Sequence, residues 1–144
     1  MRKKEFRLGQ VLNYRKEMEK KRKQEFAEAR QDLEIATDQL KREEDTVDRL
    51  NSEFMEKQQE GITAEELQIY SSFFCRKSKD IKNQKTNVGL LDNEVNIRRE
   101  SLLDASKGKK MLETLEKKSS ISIRKEIAAK ENGLMEEIAI RNRK

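Results

Sequence analysis

The side chains that most often perform catalysis are scarce in this sequence. Its 144 residues contain one cysteine, Cys75, and no histidine, so the commonest general base and metal ligand is missing. A single thiol can form neither an intramolecular disulfide nor a zinc site by itself. We therefore interpret Cys75 as an incidental thiol of the kind expected in a reducing compartment.

The glycines do not form a motif for binding phosphate or for presenting a nucleophile. Among the five glycines there is no G-x-x-x-x-G-K-[ST], no G-x-G-x-x-G and no G-x-S-x-G sequence. No apolar run approaches the ~18 residues that span a membrane. No apolar stretch follows the basic residues 1–6, so they do not predict a secretory signal. The sequence therefore predicts no enzyme, cofactor or metal ion and favours a protein that acts by binding.

The composition is typical of long helices exposed to solvent. Charged residues make up 42% of the chain and hydrophobic residues 33%, and there is no proline. Soluble domains usually contain about 25% charged and 45–50% apolar residues. This material is too polar for a compact globular core, and it favours a coiled coil.

A heptad pattern runs through the first part of the chain. One heptad position contains Phe26, Leu33, Leu40, Val47 and Phe54, and the other contains Ala29, Ala36, Glu43 and Leu50. Such a pattern predicts a coiled-coil helix. It extends back to Leu12 and Leu8 more weakly, because Arg15, Glu19 and Arg22 stand where apolar residues are usual.

The pattern stops at a composite helix-breaking signal. Gly61 suits a left-handed helix C-cap, Thr63 an N-cap, and Glu66 the third position of a capping box. Ile62 and Leu67 suit a hydrophobic staple. We therefore predict a single domain over residues 1–144, with helix 1 over about 6–59, a turn at 60–63 and helix 2 over about 64–141.

A second heptad pattern follows the turn and matches the first. Its positions are Leu67, Tyr70, Phe74, Lys77, Ile81, Gln84, Val88, Leu91, Val95, Arg98, Leu102, Ala105 and Leu112. If facing residue numbers add to 124, Phe54 meets Tyr70 and Leu12 meets Leu112, but Arg15 meets Lys109 in a like-charge layer. The match predicts an all-α fold: a long two-helix antiparallel coiled-coil hairpin with a C-terminal helical overhang.

The overhang comprises roughly the last 21 residues, which the same pairing rule leaves without a partner in helix 1. Ile123, Ile127, Leu134 and Ile138 fall on one helical face there. Two alternatives remain open. The segment folds back after residues 119–122 onto the basic arm, or it presents the apolar face to another protein.

Charge is distributed unevenly along the chain. The net charge is +7 over residues 1–24, −7 over 25–97 and +5 over 98–144. Antiparallel pairing places both basic segments at the same end, which favours an acidic partner or a solvated surface. Nucleic acid is disfavoured because aromatic residues are few and do not alternate with the basic runs. Lipid is disfavoured at residues 16–23 because that run has no strong apolar face.

One small apolar patch is expected near the turn. Ile69 and Phe73 are i, i+4 neighbours beside the heptad pattern. They form an exposed patch, or they pack over the edge of the core beside Phe54 and Phe74.

Three stretches of sequence resemble the FliJ family of the flagellar type III export apparatus. They are Phe6-Arg-Leu8-Gly-Gln-Val11-Leu12-Asn-Tyr14-Arg15; Lys110-Met-Leu112-Glu113-Thr-Leu115-Glu-Lys-Lys118; and Glu131-Asn132 followed by Met135-Glu136-Glu137-Ile138-Ala139 and Arg141. Their order and spacing cover the whole chain. Asn132, Gly133 and Glu136 depart from the family pattern.

The resemblance implies a non-enzymatic protein similar to the central stalk of rotary ATPases. Its implied partners are the hexameric export ATPase, the cytoplasmic linker of the membrane export gate, and export chaperones. It implies a location in the cytoplasm and peripherally at the inner face of the cell membrane. The matched heptad positions favour a chain that is monomeric alone, although two chains could pair through the same positions. The alternatives are an injectisome stalk protein and a general coiled-coil escort or scaffold.

The resemblance also suggests binding residues. Those implied for the ATPase are Arg15, Glu136, Glu137 and Arg141. The apolar face of the overhang adds Ile127, Leu134 and Ile138 as further candidates for the same contact. Those implied for the export gate are Tyr70 and Phe73. Lys77 and Asp80 stand where the family has small or apolar residues, so they depart from that second site.

Overall fold

The chain forms two long helices joined by a short turn. The computed structural model describes the backbone of residues 2–143 and the side chains of residues 8–143, so Phe6 lies outside the described side chains. Helix α1 is Arg2–Glu60 and helix α2 is Ala64–Asn142. No strand occurs among the described residues. The predicted all-α helical hairpin is confirmed.

The turn is formed by the residues that the capping signal identified. Gly61 has a φ of 110°, and its N–H donates to the carbonyl oxygen of Lys57 at 2.9 Å. The Thr63 hydroxyl accepts a hydrogen bond from the N–H of Glu66 at 3.2 Å. The Thr63 carbonyl accepts one from the N–H of Leu67 at 3.0 Å. One helix is thereby closed and the next is opened within three residues.

The chain divides into two compact units. The central unit is Arg22–Ser101, and the terminal unit combines Met1–Lys21 with Leu102–Lys144. Each unit contains a part of α1 and a part of α2. Each is described by itself below.

In the central unit the two helices pack through the predicted heptad positions. Ala29 and Val95 are buried, and the rings of Phe54 and Tyr70 lie 5.1 Å apart. Phe74 packs edge-on against Phe54, with ring centroids 5.8 Å apart. Aromatic pairs in this geometry stabilise packing beyond their buried area.

Charged residues at heptad positions of the central unit are paired across the helices. The Lys77 ammonium lies 3.4 Å from a carboxylate oxygen of Glu43, and the Arg98 guanidinium lies 3.3 Å from Glu25. Both pairs join α1 to α2. The heptad pattern thus tolerates polar residues where opposite charges face each other. Leu67, in contrast, is 45% exposed, so the packed part of α2 begins at Tyr70.

In the terminal unit an acidic residue pairs with one of the two cations of the expected like-charge layer. Leu12 and Glu19 are buried, and Glu19 accepts a hydrogen bond from the Lys109 ammonium at 3.1 Å. The guanidinium of Arg15 lies against Gly108, the residue before Lys109. The charge of Lys109 is balanced by Glu19 in this part of the interface.

Helix α2 continues through residues 119–122 without a break. It ends only at Asn142, and every side chain from 124 to 143 is exposed. The expected alternative in which this segment folds back onto α1 is excluded by the continuity of the helix. Three serines and the β-branched Ile121 do not end it, because only glycine or proline breaks a helix strongly.

Candidate partner-binding surfaces

An exposed apolar stripe lies on the last part of α2. Ile127, Leu134 and Ile138 are exposed by 51%, 59% and 55%. At 3.6 residues per turn these three residues lie within about 40° of each other around the helix. Lys109 and Leu112 lie on the same side of α2, where it meets α1. The stripe therefore continues the face of α2 that α1 covers earlier in the terminal unit.

The charged candidates at this end do not all share the face of the stripe. Arg141 lies at its edge and Glu137 beside it, whereas Glu136 points roughly to the opposite side of the helix. All three are exposed. Arg141 stands in the last turn of α2, where a cation is favoured by the helix dipole. Only Glu137 and Arg141 can therefore contact the same partner surface as the stripe.

Arg15 belongs to a different surface. Its side chain is exposed, and its guanidinium contacts α2 at Gly108. Arg141 lies about 50 Å further along α2 at 1.5 Å per residue. The structure therefore does not bring Arg15 together with the C-terminal candidates, although all of them belong to the terminal unit.

The candidates near the turn form one aromatic cluster. Tyr70 and Phe73 are half-buried, and both contact Phe74 at ring-centroid distances of 6.3 Å. The ammonium of Lys57 lies 5.6 Å from the Tyr70 ring centre, and that of Lys77 lies 5.7 Å from the Phe73 ring centre. Cations over aromatic faces at this distance are attracted to them.

The edge of this cluster offers one clearly exposed apolar side chain. Ile69 is 69% exposed, whereas Phe73 packs on the cluster. Of the two residues expected to form an exposed patch or to pack over the edge of the core, Ile69 is therefore exposed and Phe73 packs. Tyr70 is the main cause that raises the pKa of Lys57 above its usual value, and Glu66 adds to the effect.

Two structurally important residues were missed by the sequence reasoning. Glu19 was interpreted as a mismatch in the heptad pattern, yet it is buried and paired with Lys109. Gly108 was given no role, yet it is where Arg15 lies. The sequence contained a signal for the pairing of Glu19 with Lys109. The two residues carry opposite charges, and they lie one helical turn away from the register in which facing residue numbers add to 124.

Comparison with known families decides the assignment. A family model described as the flagellar FliJ protein matches residues 3–143. The chain belongs to the flagellar FliJ family. It is therefore a component of the flagellar export apparatus, and the resemblance recognised in the sequence is confirmed. No curated protein and no solved structure matches this FliJ-family chain.

One further property concerns membranes. Within the part of the chain that the structure describes, no helix of this FliJ-family chain combines the length and the apolar content that a membrane span requires.

Proposed function

We propose that this chain is the stalk-like coiled coil of the flagellar export apparatus. It binds the hexameric export ATPase, promotes its assembly and links it to the cytoplasmic linker of the membrane export gate. It also assists the recycling of export chaperones. Its action is binding without catalysis, with different affinities for different ATPase conformations. The chain is monomeric until it meets the ATPase, and it acts in the cytoplasm at the inner face of the cell membrane.

One observation carries the ATPase-binding part of this proposal. The stripe of Ile127, Leu134 and Ile138 is half-exposed or more on a helix that continues to Asn142. It extends the face that pairs with α1, and exposed apolar faces of this kind mark binding sites. Lys130 and Arg141 lie beside the stripe, and so do Glu131 and Glu137, so its flanks carry both charges and the apolar side chains supply the main contact.

The test is size-exclusion chromatography with light scattering, on the chain alone and mixed with the export ATPase of the same organism. A monomer that joins a larger ATPase oligomer supports the proposal. A stable dimer that ignores the ATPase contradicts it and favours a scaffold.

Two truncations separate the parts of the C-terminal surface. A chain ending at Ser122 lacks the stripe and should no longer join the ATPase. A chain ending at Ile138 keeps the stripe and loses Arg141, so any remaining binding measures the apolar contribution. Equal binding by the two truncations would exclude the stripe.

A second function is favoured by the cluster near the turn. Ile69 and the edge of Phe73 present apolar surface beside two ammonium groups, which suits the gate linker or a chaperone. Phe73→Ala should weaken one of these contacts without changing ATPase binding. Ile69→Ala tests the same surface at a position whose side chain is 69% exposed. Unchanged binding of every partner by both variants would exclude this surface.

The injectisome alternative differs only in the secretion system to which the stalk protein belongs. The matching family is named for the flagellum, and this supports the flagellar system. Flagellar or injectisome genes next to the coding sequence would distinguish the two.

A further inference from the structure

The outward face of α2 in the terminal unit contains no acidic residue over a long stretch. Seen along the helix, the side opposite α1 between residues 107 and 125 contains only basic, apolar and hydroxyl side chains. This stretch is about 27 Å long. The residues on this face, which we call the cationic face, are Lys107, Lys110, Met111, Thr114, Leu115, Lys118, Ile121, Ser122 and Lys125. All of them are exposed.

The acidic residues of the same segment lie elsewhere. Glu113 and Glu116 project from the side of α2 that is directed toward α1. Lys109, which also lies on that side, is paired with Glu19 at 3.1 Å. The lysines of the cationic face make no ion pair with any described residue. Asp104 bounds the face at its beginning and Glu126 at its end, and between them the lysines direct their charge to solvent.

Apolar side chains lie between these lysines. Met111 is 68% exposed, and Leu115 and Ile121 are each 52% exposed. One shallow hollow on this face is lined by Lys107, Lys110, Met111, Thr114 and Leu115. Lysine stems lie along apolar surface while their ammonium groups reach outward. The face thus combines apolar side chains with a rim of cations.

We propose that the cationic face binds the surface of a bilayer that contains anionic lipids. A convex, acid-free ridge of this length fits a planar negative surface, where each lysine is attracted to the lipid headgroups. Met111 and Leu115 then enter the headgroup region, as apolar residues of interfacial helices do. A second copy of the same face is a poor occupant, because its lysines would repel these.

The experiment is cosedimentation of the full chain with vesicles. One set contains equal parts of phosphatidylglycerol and phosphatidylcholine, and the other contains phosphatidylcholine alone. The chain should sediment only with the first set, and binding should weaken as salt is raised. No binding to phosphatidylglycerol vesicles would overturn the proposal and leave the cationic face to an acidic protein.

Matched charge variants decide whether this face is the one that binds. Lys107→Gln, Lys110→Gln and Lys118→Gln together should lower the vesicle partition coefficient about a hundredfold, at about fivefold per lysine. The control replaces Lys16, Lys20 and Lys21 of α1 with glutamine, which gives the same net charge in the same unit. Equal losses in the two variants would mean that only net charge matters, and this would overturn the proposal.

A third variant tests the apolar part. Met111→Ser with Leu115→Ser should lower the partition coefficient about tenfold, because two apolar side chains no longer leave water. Both are exposed, so the helix content seen by circular dichroism should not change. Undiminished binding by this variant would contradict insertion of the apolar side chains. Retained ATPase binding in all variants would show that the lipid surface is separate from the proposed stalk function.

Discussion

The guanidinium of Arg15 lies across the backbone of Gly108. A methyl group at position 108 would lie 3.4 Å from Nη1 of Arg15 and 3.7 Å from its Cζ. These are ordinary van der Waals distances, so alanine fits at this position, whereas a larger side chain would displace Arg15. The glycine thus makes room for a long cation from α1 in the interface with α2.

Replacing this glycine separates helix propensity from packing. Gly108→Ala should raise the free energy of unfolding by up to about 1 kcal/mol, because alanine is the better helix former. Gly108→Leu should lose that gain by displacing Arg15. Thermal unfolding followed by circular dichroism measures both. Gly89, which has open space around it, is the control: there alanine and leucine should both stabilise. Equal effects of alanine and leucine at position 108 would show that Arg15 is not held there.

Gly61 should respond in the opposite direction. Its φ of 110° is a backbone conformation that residues with a side chain rarely adopt. Gly61→Ala should lower the free energy of unfolding by about 1–2 kcal/mol. The surrounding space is open, so the loss would come from the backbone alone. Denaturant unfolding of Gly61→Ala beside Gly89→Ala checks the sign, and stabilisation by both would contradict the turn geometry.

The buried ion pair of Glu19 and Lys109 can be tested by removing one partner or both. Lys109→Met should cost about 2 kcal/mol, because it removes an ammonium that lies 3.1 Å from the carboxylate of the buried Glu19. Replacing both residues with leucine should be nearly neutral or stabilising, since neither charge is then buried. Chemical denaturation of the three proteins gives these differences.

The control for this pair lies on the surface of the central unit. Lys85 and Glu44 are 3.9 Å apart and largely exposed. Lys85→Met should change the free energy of unfolding by less than about 1 kcal/mol. A loss as large as that of Lys109→Met would mean that burial is not the cause.

The sequence was sufficient to predict the helical hairpin because local signals agreed with each other. The caps at Gly61 and Thr63 and the two heptad patterns all indicated one turn between two helices. Glu19 and Lys109 could not be placed by the same reasoning, because the pattern treats each heptad position as apolar or not. Their pairing depends on where two long, flexible side chains reach. The exposure of Ile127 was also left open, since an amphipathic pattern does not indicate whether a neighbour covers it.

The candidate site was less predictable than the fold. The resemblance placed Arg15 and Arg141 in one binding end. The pairing of Arg15 with Gly108 separates them by about 50 Å along α2. Glu136 and Glu137 are adjacent in sequence, but the helix directs them about 100° apart. A motif therefore indicates family membership more securely than it indicates a shared surface.

This separation predicts independent contributions from the two arginines. Arg15→Glu and Arg141→Glu should each weaken binding to the export ATPase while helicity stays unchanged. Because the sites are far apart, the free-energy losses of the double variant should add within about 0.5 kcal/mol. Titration of the ATPase with the single and double variants by calorimetry tests this. If the double variant loses no more binding free energy than either single variant, both arginines belong to one contact. If all three variants bind the ATPase normally, neither arginine belongs to the ATPase interface.

The apolar stripe gives the most direct prediction about function. Ile127→Ser with Leu134→Ser should weaken ATPase binding at least about tenfold, since each buried apolar side chain of this size contributes about 1.5 kcal/mol or more.

Ile140 supplies the matched control for the stripe. It is 60% exposed on the same part of α2, but it lies on the opposite side of the helix, about 140° from the centre of the stripe. Ile140→Ser should therefore leave ATPase binding unchanged, whereas Ile127→Ser should weaken it. A pull-down with the ATPase compares these two single variants at equal helicity. If both variants weaken binding equally, the helix contacts its partner on all sides, as a stalk enclosed by a ring would. If neither does, the stripe is not the ATPase contact.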